Sequence, residues 1–258
     1  MKIFPEHIQQ NVVELYKRGR SYREITKRTG VSQRPIQRFL LNSGCVPRSV
    51  TRYSYNESAF ANLNNETDAY WLGFLYADGS VSASRNVVEI NLAKKDYDHL
   101  TKFRDWVAPN SVVKVFRSLG AKKNAPMVKL SIFNDVIKNR LIKIGCTPRK
   151  TFTLKFPPIN SDFTHHFIRG YFDGDGSIGI YPTKYSCQYS FSLNSTKSFL
   201  TQIAKVFKEH GFAYGIRNHS SIFRLYSGGK ENVRAIGNFL YNGATVFLSR
   251  KKERFDSI

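Results

Sequence analysis

Cysteine is scarce and scattered. Cys45, Cys146 and Cys187 are odd in number and share no CxxC spacing, which argues against a disulfide framework and against a structural zinc site. No apolar run reaches the ~18 residues that suggest a membrane span. The opening MKIFPEHIQQ lacks the apolar centre of a secretory leader. These absences lead us to expect a soluble, non-secreted, intracellular chain in a reducing compartment, with the host compartment unspecified. Acidic residues are also few, 19 Asp and Glu against 40 Lys and Arg, for a formal net charge of +21. The excess is +7 over residues 1–50 (10 basic, 3 acidic), +8 over 51–155 (17 and 9) and +6 over 156–258 (13 and 7). A basic tail would concentrate that charge. An even spread fits a polyanion-binding surface built from every segment. No strongly amphipathic anchor stands out, so nucleic acid is expected as the partner rather than a membrane.

What is present is globular material. With 41% apolar and 14% aromatic residues, the 258-residue chain can bury one large core or two to three small ones. Residues 5–43 read as three short helices. PEHIQQNVVELYKRG aligns Ile8, Val12, Leu15 and Tyr16 and stops at Gly19. Ser21 and Gly30 bracket the second helix. Ser32 opens the third, which buries Ile36, Phe39 and Leu40 and ends at Gly44. Helix, glycine turn, helix is the helix-turn-helix pattern, with Gln33, Arg34, Gln37 and Arg38 facing outward. Arg and Gln suit guanine and adenine edges, although a solvated basic face would look the same. We read residues 1–44 as this domain and 45–65 as a linker. Within the linker, Arg48, Arg52, Tyr53 and Tyr55 suit a phosphate backbone or a solvated tether.

From residue 66 the chain repeats itself. TDAYWLGFLYADGSV (67–81) corresponds to THHFIRGYFDGDGSI (164–178), and each is followed by strands, a helix, strands, a helix and a basic segment. The expected class is α+β: pseudo-symmetric αββαββα half-domains at 66–155 and 156–258, each with an antiparallel sheet, plus the small all-α N-terminal domain. Gly73 and Ala77, like Gly170 and Gly174, lie four apart and give each motif helix a strip of small side chains for close packing. Gly79 and Gly176 are expected to end the helices with left-handed caps. Asp78 and Asp175 are then the last helical residues, side by side at two helix C-termini, where the field opposes negative charge. A divalent cation is the natural compensation. Hard oxygen ligands without His or Cys favour Mg²⁺. Asp173 is expected to be a polar cap rather than a ligand, and His165 and His166 helix-start surface residues.

ADG at 77–79 and DGDG at 173–176, each behind an apolar helix with Gly five residues before the final Asp, resemble the LAGLIDADG homing endonucleases in their single-chain, two-motif form. The resemblance covers residues from about 53 to 255. It implies a monomer whose sheets form a DNA-binding saddle, and a Mg²⁺-dependent phosphodiester hydrolase, with Mn²⁺ as a substitute. Such an enzyme cuts both strands of a double-stranded DNA target across the minor groove, leaves short 3′ overhangs and supports intron homing. It implies Asp78 and Asp175 as metal ligands, placed with Ala77 and Gly174 at the motif ends. The sixth motif position, often Asp, is Tyr76 in the first copy and Asp173 in the second. Lys150 and Lys251, after Arg149 and Arg250, resemble the lysine of the family's auxiliary basic pocket, or else serve as phosphate contacts. Arg85, Lys114, Arg117, Lys129, Tyr181, Lys184, Tyr189, Arg217 and Arg224 are candidate groove contacts whose facing depends on strand register. The rival reading is a non-cleaving nucleic-acid binder, a transcription regulator or RNA maturase on the same scaffold. Retention of both carboxylates speaks against it.

Overall fold

The computed structural model describes residues 4–45, 53–118 and 124–258, and the chain divides into two units, Met1–Arg52 and Tyr53–Ile258. Arg48 and Arg52 lie outside the described residues. The first unit holds α1 (Glu6–Lys17), α2 (Tyr22–Thr29) and α3 (Gln33–Asn42) around Val12, Leu15, Tyr16, Ile25, Ile36 and Leu40. Ser21 opens α2 with a reciprocal capping box: its main-chain N–H donates to Glu24 at 2.8 Å and its hydroxyl accepts from the Glu24 N–H at 3.3 Å. Gly30 ends the helix at φ 72°, where a side chain would be strained. Ser32 occupies the N-cap of α3 without a side-chain cap bond. Its third helical residue is Pro35, which has no N–H to offer. Gln33, Arg34, Gln37 and Arg38 are all exposed.

The second unit begins earlier than the composition suggests. The expected linker is corrected at its far end, because residues 53–65 belong to the second unit. Ala59 and Phe60 are buried, and the Phe60 N–H donates to the Asp68 carboxylate at 2.7 Å. Apolar area at those two positions outweighs the Ser and Asn around them.

Each half then runs through the same elements. The first has α4 (Glu66–Asp78), β1 (Gly79–Val81), β2 (Val88–Ala93), α5 (Tyr97–Val107), β3 (Lys114–Arg117), β4 (Pro126–Ile132) and α6 (Asp135–Ile144). The second has α7 (Ser161–Asp175), β5 (Ser177–Pro182), β6 (Cys187–Ser195), α8 (Lys197–Glu209), β7 (Gly215–His219), β8 (Ile222–Gly228) and α9 (Lys230–Tyr241). Both sheets are four-stranded and antiparallel, ordered β1-β2-β4-β3 and β5-β6-β8-β7. The basic segment of the second half forms α10 (Ser249–Asp256), and that of the first only a 3-10 turn, Lys150–Phe152.

Strand alternation sets the two faces. Val88, Ile90, Leu92, Val128, Leu130 and Ile132 enter the core, as do Phe191, Leu193 and Leu225 across the second sheet. The motif helix α4 is buried from Asp68 to Tyr76 and is apolar nearly all round, as a helix enclosed on every side must be. Asn65 and Asn160 cap the starts of α4 and α7 by accepting from the Asp68 and Asp162 N–H groups at 2.8 and 3.0 Å.

Candidate active site

The two motif helices touch main chain to main chain. A β-carbon on Gly73 would lie 2.0 Å from the Phe167 carbonyl oxygen, and one on Gly170 would lie 1.9 Å from the Tyr70 carbonyl oxygen. Further along, a β-carbon on Gly174 would meet the Ala77 methyl at 2.3 Å and the Asp78 carboxylate at 3.1 Å. The small-residue strips therefore face each other and bring both helix ends together.

The helix stops differ from expectation. Gly79 has φ −74° and ψ 146°, and Gly176 has φ −73° and ψ 159°, so both are extended rather than left-handed. The chain passes straight into β1 and β5. Glycine is needed there for space: a β-carbon on Gly79 would meet the Leu75 carbonyl at 2.5 Å, and one on Gly176 the Phe172 ring at 2.1 Å.

Asp78 and Asp175 end the helices, and among the described residues neither carboxylate accepts a hydrogen bond. Asp78 is pushed up to about 7 by burial, then by the neighbouring Asp175, with Lys251 and Lys150 pulling the other way. Asp175, the more exposed of the two, is also raised by the protein behind it, again against Lys150 and Lys251. The lysines do not bind the carboxylates directly. Lys150 donates to the Gly79 carbonyl, and Lys251 to the Phe172 and Gly176 carbonyls at 2.5 and 2.6 Å. Each ammonium thus neutralises a helix end from behind. Burial brings Lys251 down to about 8. Among the described residues no three His, Cys, Asp or Glu side chains gather for metal binding. The donor set at the helix ends, two hydrogen-bond-free carboxylates and the last-turn carbonyls of Ala77 and Gly174, suits a hard divalent cation that keeps other oxygen ligands. A cavity of about 240 Å³ beside Asp175 is lined by Ala77, Lys150, Thr151, Tyr171, Asn194 and other residues.

Three polar assemblies, each with a buried charged group, are not legible in the sequence. Asp173 is not a polar cap: it has no exposed surface and accepts from the Tyr70 and Tyr241 hydroxyls and the Leu248 N–H. Arg169, also fully buried, donates to Glu66 at 2.6 Å, to the Leu240 and Val246 carbonyls, and pairs with His166. His165 and His166 are half-buried rather than on the surface, His166 against Arg169 and His165 near the Phe239 ring. Arg250 forms a two-bond ion pair with Asp96 at 2.7 and 2.9 Å. The one signal in the sequence is a charge, Arg169, inside the otherwise apolar FIRGYF.

Register sorts the basic residues. Lys114 lies opposite Lys129 on the face away from the core, and Lys129 pairs with Glu89 at 2.7 Å. Arg217 lies opposite Arg224 on the equivalent face of the second sheet. There the Arg217 guanidinium sits over Tyr226, and Arg224 bonds Asn194 and His219. Tyr181, opposite Gln188, shares that face. Arg117 and Tyr189 do not belong with this group. Arg117 is an odd number of residues from Lys114, and Tyr189 is next in line to Gln188, so both project from the opposite face. Arg85 and Lys184 sit in the β1–β2 and β5–β6 connections.

Residues 162–238 match the family model described as a LAGLIDADG-like domain. Among solved structures, the homing endonuclease I-GzeII in complex with its DNA target aligns with TM-score 0.52 and 13% identity, over 74% of this chain and 88% of that one. Meganuclease I-AabMI bound to uncleaved DNA aligns with TM-score 0.50 and 13% identity, over 75% and 89%. Meganuclease I-SmaMI bound to DNA aligns with TM-score 0.50 and 10% identity, over 74% and 89%. None of the curated proteins compared matches the sequence. No described helix is long and apolar enough to cross a membrane. The chain carries a LAGLIDADG-like domain at residues 162–238 within the fold of the LAGLIDADG meganucleases.

Proposed function

We propose that this chain is a site-specific double-stranded DNA endonuclease, acting as a monomer and hydrolysing phosphodiester bonds with a divalent metal. The observation that carries the reading is the meeting of Asp78 and Asp175, free of hydrogen bonds, at the ends of two helices packed through glycine. Two such carboxylates repel each other unless a cation or a proton intervenes. Asp78 and Asp175, with the Ala77 and Gly174 carbonyls, would hold Mg²⁺, or Mn²⁺ in its place. Held there, the ion would supply Lewis-acid stabilisation of charge on the scissile phosphate. Lys150 and Lys251 hold fixed positive charge beside that position, where the phosphate gains negative charge in the transition state.

The DNA reading is supported by the even spread of the +21 charge and by the sheet faces that carry Lys114, Lys129, Arg217 and Arg224. The three-helix unit is a second, separate DNA module, with Gln33, Arg34, Gln37 and Arg38 available for base edges or phosphates. Incubation with a randomised DNA library, and with DNA flanking the chain's own coding locus, in Mg²⁺ tests the reading. Wild type should cut, and Asp78→Asn and Asp175→Asn should not. Cutting that persists in both variants removes these residues from the chemistry. Binding without cutting by wild type favours a regulator or maturase.

A further inference from the structure

The segment that carries Lys251 is gripped from beneath by a buried acid. Asp173 accepts from the Tyr70 hydroxyl at 2.7 Å, the Tyr241 hydroxyl at 2.5 Å and the Leu248 N–H at 2.7 Å. These donors come from α4, from α9 and from the residue that opens α10, so one carboxylate joins the first half's motif helix to the second half's last helix. Lys251 lies in the first turn of α10. Because Tyr70 gives its proton to Asp173, its oxygen can only accept from His99, whose Nε2 is 2.9 Å away. His99 is then the Nε2–H tautomer, and its buried Nδ1 has no partner. Asp96 takes Arg250 in a two-bond pair on the other side. Leu248 and Arg250 are each fixed by a buried acid, and Lys251 beside them reaches the Phe172 and Gly176 carbonyls.

The first half lacks this device. Tyr76 stands where Asp173 stands in the repeat, and its hydroxyl goes to the Ile144 carbonyl at 3.0 Å. Lys150 lies on a 3-10 turn entered through Arg149 at φ 56°, with no carboxylate bonded beneath it among the described residues.

We propose that Asp173 is a positioning residue for Lys251: by holding the start of α10, it sets the ammonium against the helix end that carries Asp175, while Lys150 has no counterpart. What Lys251 is for rests on the endonuclease reading above, but the positioning can be tested without cleavage. Asp173→Asn keeps the shape and removes the charge. Trace acetylation of the folded protein, read by mass spectrometry, reports how well each lysine is held. Lys251 should label about tenfold faster in Asp173→Asn, the effect of roughly one missing charge-assisted hydrogen bond, with Lys150 unchanged. Unchanged labelling of Lys251, or an equal rise at both lysines, overturns the proposal, since general loosening would expose both. If Asp173→Asn does not fold, Tyr241→Phe removes one hydroxyl clamp and no charge. It should give a smaller rise confined to Lys251, and a wild-type rate there overturns the idea equally. On a cleavable DNA, the Asp173→Asn loss should nearly vanish in a Lys251→Ala background, and additive losses would contradict it. Absence of cutting by wild type would end the endonuclease reading and leave the labelling to decide the positioning.

Discussion

Gly73 lies so close to the main chain of Phe167 that a β-carbon would stand 2.0 Å from its carbonyl oxygen, and Gly170 has the matching relation to Tyr70 at 1.9 Å. The obstacle in both cases is backbone, which cannot swing aside. Gly170→Ala and Gly73→Ala must therefore part the helices and should each cost about 3 kcal/mol, the upper range for overpacking. Gly174→Ala meets the Ala77 β-carbon at 2.3 Å, which is fixed to its own main chain, so it too should push the helix ends apart, and it should also displace the Asp78 carboxylate 3.1 Å away. Denaturant unfolding curves check these losses. A Gly170→Ala midpoint equal to wild type would contradict the close approach.

Asp78 gives the pH dependence a definite sign. Its ordinary value is 3.8 and its folded value about 7. Between those values the folded chain holds a proton that the unfolded chain has released, so stability declines as pH rises through about 7. His99 and His166 act oppositely, with folded values of about 3 and 4 against 6.5, and so does Lys251, brought down from 10.5 to about 8. Thermal melts in chelator from pH ~6.5 to ~8 therefore read the carboxylate as the difference between wild type and Asp78→Asn, which share the opposing groups. Wild-type Tm should fall across that range relative to that of Asp78→Asn. Added Mg²⁺ should raise Tm at the alkaline end chiefly in wild type, by preferential binding to the folded form.

Sequence patterns reach the repeat, the order of elements within each half and the two motif acids, because periodicity and glycine spacing are local signals. They do not reach the geometry that depends on distant neighbours. Gly79 and Gly176 read as left-handed caps because Asp-Gly after a helix usually means that, whereas here the next strand starts within one residue. Asp173 reads as a cap because its three donors lie far off at residues 70, 241 and 248. Arg117 and Tyr189 fall in with the groove residues on sequence because alternation alone does not fix which face is inside. Lys150 and Lys251 occupy matching places in the repeat, and that much is visible in the chain. Their bonds to helix-end carbonyls, however, depend on how the segment after each last helix folds back.

The buried pair of Arg169 and Glu66 should respond unequally to removal of its acid. Arg169 has no exposed surface, while the Glu66 side chain is 19% exposed. Glu66 also accepts from the Thr245 and Val246 N–H groups. Those bonds and Arg169 hold Glu66 below the usual carboxylate range despite burial. Glu66→Ala strands a buried guanidinium and two N–H groups and should cost about 3–5 kcal/mol. Glu66→Gln keeps an acceptor and should cost less. Equilibrium unfolding of both variants decides this, and equal losses would mean that the acceptor kept by Gln offsets nothing.

The two units have separate cores, so the first should be removable. Val12, Leu15, Ile25, Ile36 and Leu40 close on one another, and residues from 53 onward carry their own cluster through Ala59 and Phe60. A chain starting at Tyr53 should keep the unfolding midpoint of that unit and, on a cleavable DNA, its metal-dependent cutting. Its DNA affinity should fall, and the dependence of log K on log salt should become shallower by roughly 0.9 for each phosphate no longer neutralised. Full-length Arg34→Ala and Arg38→Ala variants separate the two kinds of interaction. Removing a phosphate partner weakens all DNA alike and flattens the salt slope, whereas removing a base partner relaxes preference at one position. A truncated chain that no longer folds would show that the N-terminal unit is structural, and unchanged affinity in a folded one would remove it from DNA binding.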